Sequence, residues 1–116
     1  MMKTADINPA IFQALAFIAK NVYEDANAHG LWSENVYDLK DKRGMAYVRR
    51  CHVIPIREEV SEAYEAAADP AHFAEELADV VIMAMSAAGH LGIDLAAEIR
   101  RKMEINEGRP YQHRTD

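Results

Sequence analysis

Apolar residues recur at three- and four-residue intervals in several stretches of the chain, and each stretch is bounded by residues that start or stop helices. Ile11, Leu15, Ile18 and Val22 form the first stripe, widened by Phe12 and Ala19. Asn8-Pro9 reads as an N-cap followed by proline at the first helical position, and Gly30 supplies the stop, so a core-facing helix is predicted over about 9–28. Residues 31–44 carry no sustained period and read as a loop with room for one helical turn. A second helix is predicted from about 44–46 to 68, kinked or restarted at Pro55, which lacks the N–H the helix needs and crowds the preceding turn. Asp69-Pro70 opens a third helix to about residue 89. Gly92 and Ile93 form a short turn, and Asp94 caps a fourth helix that runs to about 107, with Gly108 and Pro110 marking its end. No stretch alternates as a strand would. The expectation is all-α, a four-helix bundle with short connections.

The stripes also predict faces. In the second helix Val60, Ala63, Tyr64 and Ala67 form the buried line, with Glu59 and Glu62 on one shoulder and Glu58 and Glu65 pointing away. The third helix is apolar on every side from Val80 to Ala88, which predicts a place at the centre of the bundle or in a subunit interface. In the fourth, Lys102 and Asn106 fall within the stripe of Leu95, Ile99 and Met103 and so point toward the second and third helices, while Arg100, Arg101, Glu104 and Glu107 face outward.

Composition narrows the function classes. With 116 residues the chain makes one domain, small enough to gain from sharing a core with another copy, so a homodimer or homotetramer is expected. A net charge of −6 argues against a nucleic-acid polymer as partner. Cys51 is the lone cysteine and reads as a small buried apolar residue, so no internal disulfide can form. The most apolar run, 80–91, is too short to span a bilayer, and no cleavable signal opens the chain. A cytoplasmic protein that does not enter the membrane is expected.

Charge distribution changes the picture most. Between Arg57 and Arg100 there are ten carboxylates and no lysine or arginine. Two acidic pairs at helical i, i+3 spacing, Glu59 with Glu62 and Glu76 with Asp79, lie beside apolar stripes, where carboxylates need a cation to offset desolvation. Four such groups suit a hard divalent ion, Mg²⁺ or Mn²⁺. The alternative is that they are surface acids with distant partners. A di-iron carboxylate bundle is excluded, because it needs Glu-x-x-His and the sequence has none.

The ordered set Glu59-x-x-Glu62, a thirteen-residue spacer, Glu76-x-x-Asp79, then Lys102, Asn106 and the Arg109-Pro110-Tyr111 ending resembles the MazG-like, all-α nucleoside triphosphate pyrophosphatases. The resemblance spans about residues 45–114, and the Gly30-Leu31-Trp32 end of the first helix is similar to one branch of that family; Pro55, one turn before the first acid pair, departs from it. It implies Mg²⁺-dependent hydrolysis of a (d)NTP to the monophosphate and pyrophosphate. Glu59, Glu62, Glu76 and Asp79 would be both metal ligands and catalytic residues, Lys102 and Arg109 would meet phosphate oxygens, and Asn106, Tyr111 and Trp32 would complete the substrate site. Each has a simpler reading: Lys102 paired with Glu98, Arg109 as a helix C-terminal charge, Trp32 as a packing anchor. His29 and His72 stay open between the two, and Lys40, Lys42, Arg43, Arg49 and Arg50 read as balancing charge. The rival from another class is a non-catalytic helical dimerisation module whose acids hold a cation for stability.

Overall fold

The computed structural model describes residues 2–32 and 42–110. A short 3-10 turn, Thr4–Asp6, precedes four helices: α1 Pro9–Ala28, α2 Lys42–Glu65, α3 Pro70–His90 and α4 Leu95–Glu107. Local chemistry sets most of these ends. Asn8, Asp69 and Asp94 each accept backbone N–H groups of the first turn that have no partner inside their helix. Both α1 and α3 close with a glycine in the left-handed region, Gly30 at φ 80° and Gly92 at φ 72°. In each, the following residue bonds back across the last turn, Leu31 to Ala26 and Ile93 to Ala88, which satisfies carbonyls the helix would leave bare. Gly108 is different: its φ is −89°, so α4 ends there without using the freedom of glycine. Helix α2 starts two residues earlier than the pattern predicts and runs unbroken through Pro55, so the predicted restart does not occur. It stops at Glu65 rather than near 68, because Ala66 to Ala68 form the turn that places Asp69 in the extended conformation required before a proline.

Helix α3 is the centre of the arrangement. Helices α1 and α2 both pack on it, α4 packs on α1 and to a smaller extent on α3, and among the described residues no such contact joins α2 to α1 or α4. Among the described helices α2 is therefore held by α3 alone, while α1, α3 and α4 contact one another. Where α1 crosses α3, a Cβ on Gly89 would lie 2.5 Å from Tyr23 Cβ, so the crossing requires glycine. Arg100 lies over the Phe12 ring at 5.2 Å, tying α4 to α1 instead of facing outward as predicted. Glu107 likewise turns in: its carboxylate accepts from both the backbone N–H and the hydroxyl of the buried Thr4, which holds its pKa below the ordinary range.

The core is thin. Among the described residues the buried apolar ones are Val48, Ala63, Ala66, Met85, Ala87, Ala88 and Ala96, mostly alanine, with His52 and Ser86 among them. Two predicted faces need correction. In α2 the buried line is Val48, His52 and Ala63, continued by Ala66 in the turn, whereas Val60 and Tyr64, at 50% and 82% exposure, look outward. In α3 only Met85 to Ala88 are buried, and Leu77, Val81 and Ile82 are exposed in the single chain. Hydropathy identified the apolar residues but not which of them another element covers. No single described helix is long and apolar enough to cross a membrane.

Candidate functional site

The three-alanine turn makes α2 and α3 antiparallel neighbours, and counting from it explains which acids meet. Glu59 stands six residues before the end of α2 and Glu76 six residues after the start of α3. At 1.5 Å per residue both sit about 9 Å from the turn, level with each other. Glu62 lies one turn nearer to it and Asp79 one turn farther away. One carboxylate oxygen from each of Glu59, Glu62 and Glu76 falls within 4.8 Å of the others. Asp79 lies outside that triplet and is exposed, yet its charge reaches Glu59.

Two of the three acids are held in an unusual state. Glu59 Oε2 and Glu76 Oε2 are buried and have no hydrogen-bond partner. Burial, then the charges of Glu62 and Asp79, a hydrogen bond with Glu62 and the charge of Glu76 push the Glu59 carboxyl above its ordinary range. The other oxygen of Glu76, Oε1, lies 3.0 Å from His72 Nε2. His72, Glu62, Glu65, Ala66 and Glu76 line a shallow cleft of about 440 Å³ at this end of the molecule. Glu65, read as pointing away, shares that cleft; Glu58 is exposed as expected. The donor set is all carboxylate oxygen, which fits a hard cation.

The predicted substrate-side residues are not gathered here. Lys102 and Arg109 are exposed and Asn106 is half-buried, all on or just beyond α4, which does not touch α2 within the described residues. The simpler reading of Lys102 is not seen either, since Glu98 pairs with Arg101 at 2.9 Å. Tyr111 and Lys40 lie outside the described residues, as do the side chains of Lys42 and Arg43. Arg49 and Arg50 are exposed, His29 bonds the carbonyl of Asp25 on the surface, and Cys51 is half-buried.

Trp32 belongs to a second cluster, at the opposite end of the α2–α3 pair. Its indole N–H donates to Ser86 Oγ at 2.6 Å, and its ring stacks on His52 and His90 with centroids 4.7 and 5.1 Å away. The two imidazoles bond each other, His52 Nε2 to His90 Nδ1, at 2.7 Å. His52 Nδ1 lies 2.8 Å from the Val48 carbonyl, which can only accept, so the proton is on Nδ1 and His52 Nε2 accepts from His90. Burial, then the neighbouring His52, lowers the pKa of His90. His52 and His90 drew no functional reading from the sequence. The available signal was that His52 falls in helical register with Val48, Ala63 and Ala66, a polar residue on the buried line. Ser86 and His90 lie ten and fourteen residues beyond Glu76, about 15–21 Å along α3.

Comparison of the chain with protein-family profiles, with curated proteins and with solved structures finds no match.

Proposed function

We propose that this chain is a Mg²⁺-dependent nucleoside triphosphate pyrophosphatase that cleaves a (d)NTP to (d)NMP and pyrophosphate. The observation that carries this reading is the convergence of Glu59, Glu62 and Glu76, with two buried carboxylate oxygens lacking any partner. Leaving buried charges unpaired is costly, and a cation removes the cost. The motif order from Glu59 to Arg109 supplies the reaction class by resemblance. In this reading Glu59, Glu62 and Glu76 hold the cation, Mg²⁺ or Mn²⁺, with Asp79 beside them. A cation held there would neutralise charge on the phosphate oxygens during attack of water on the α-phosphorus. Glu58 and the cluster acids are the groups available to orient that water and take its proton. Lys102, Asn106 and Arg109 stand on or just beyond α4 and would meet the triphosphate from there or from another subunit. A homodimer or homotetramer joined through α3 accords with the exposure of Leu77, Val81 and Ile82.

The test is a panel of NTPs and dNTPs with Mg²⁺, monitored for monophosphate and pyrophosphate. Turnover is expected, with a loss of at least about 100-fold in Glu59→Gln and Glu76→Gln. The same Glu59→Gln substitution should raise the metal-free melting temperature, because it removes a buried unpaired charge at the site. No turnover with any nucleotide, or turnover indifferent to both substitutions, refutes the enzyme and leaves the dimerisation module.

A further inference from the structure

Glu76 presents its two oxygens to different surroundings. Its side chain is 15% exposed, Oε2 is buried without a partner, and Oε1 meets His72 Nε2 at 3.0 Å. A carboxylate only accepts, so Nε2 of His72 carries the proton and donates. The imidazole is 54% exposed and stands one helical turn toward the start of α3, on the rim of the cleft shared with Glu62. Its backbone is fixed as well. The N–H of His72 is one of the two that donate to Asp69 Oδ1 at the helix cap, at 3.2 Å. A chain of contacts therefore runs from the cap through His72 to one oxygen of Glu76.

Resting on the reading of Glu59, Glu62 and Glu76 as a cation site, we propose that His72 is a positioning residue: by holding Glu76 Oε1 it fixes the carboxylate so that Oε2 binds the cation as a single-oxygen ligand. Mg²⁺ favours this mode, since its octahedral shell takes single carboxylate oxygens at short distance, whereas a free carboxylate swings between one- and two-oxygen binding. Groups that orient metal ligands in this way typically contribute 10- to 100-fold to metal affinity. An ordinary surface His–Glu pair on a helix contributes nothing to metal affinity, which separates the two roles.

Mn²⁺ binding to the full chain, followed by titration calorimetry and by the loss of free-ion electron paramagnetic resonance signal, tests the assignment. His72→Ala should weaken Mn²⁺ binding about 10-fold or more. His72→Gln, whose amide N–H reaches the same oxygen, should recover most of that loss. Metal-free melting temperatures of the two variants should stay close to that of the parent. Parent-like affinity in His72→Ala, or equal weakening by Ala and Gln, overturns the positioning role and leaves the cation site standing. Absence of Mn²⁺ binding in the parent, or binding unchanged by Glu59→Gln and Glu76→Gln, overturns the site itself and the inference with it.

Discussion

His90 shows how much one side chain's surroundings decide. The sequence places it at the end of an apolar run; the fold puts it against another imidazole and under an indole. Burial and His52 make its proton harder to bind in the folded chain than in the unfolded chain, where an imidazole titrates near about 6.5. The unfolded state then binds more protons between these two values. The stability that His90 contributes is fully present above about pH 6.5 and is lost as pH falls through the lower folded-state value. Glu59, whose carboxyl is raised in the folded chain, works in the opposite direction, so the test is a difference: by urea unfolding, the change in stability from pH 7.5 to 5.5 should be less favourable in the parent than in His90→Gln. An equal slope in the variant would show that other groups set the dependence. Trp32 is the only tryptophan, so its fluorescence reports the cluster directly. The same dependence on surroundings separates the acids. Glu59 and Glu58 are adjacent and chemically identical, yet only Glu59 lies in the interface between α2 and α3, because 100° of helical rotation divides them.

At the scale of elements, helix limits were legible in the sequence and helix faces were not. Caps and stops act over three or four residues, so Asn8-Pro9, Asp69-Pro70, Asp94, Gly30 and Gly92 each determined an end from local chemistry alone. Faces depend on what arrives from elsewhere in the chain. Val60 and Tyr64 have the apolar character of a buried line, but among the described helices α2 meets only α3, and its buried positions are Val48, His52 and Ala63. The convergence of Glu59, Glu62 and Glu76 was legible because short-linked antiparallel helices bring equal distances from a turn side by side. The placing of Lys102 and Asn106 toward that site was not borne by α4, whose packing on α1 follows from long-range contacts such as Arg100 over Phe12. Helix crossing gives its own prediction. Gly89→Ala should gain about 1 kcal/mol of helix propensity and lose about 1–3 kcal/mol to overpacking against Tyr23, whose Cβ is anchored to its backbone. A lower melting temperature is the expected balance; an unchanged or higher one would mean that α1 shifts freely on α3.

For the molecule as a whole, the small core sets the question of self-sufficiency. Alanine side chains bury little area, and Leu77, Val81 and Ile82 leave much of α3 in water. If copies of the chain associate through that helix, Val81→Glu should reduce the mass seen by sedimentation to that of a monomer and lower the melting temperature. The parent's melting temperature should then rise with protein concentration. A parent that sediments as a monomer at tens of micromolar would dismiss the association.

The two clusters on the α2–α3 pair have a joint consequence. One pair of helices carries a hydrogen-bonded pair of imidazoles toward one end and mutually repelling carboxylates toward the other. Thermodynamic reciprocity then applies to binding at both ends: by whatever factor a cation between the carboxylates changes proton affinity at the imidazoles, a proton there changes cation affinity by the same factor.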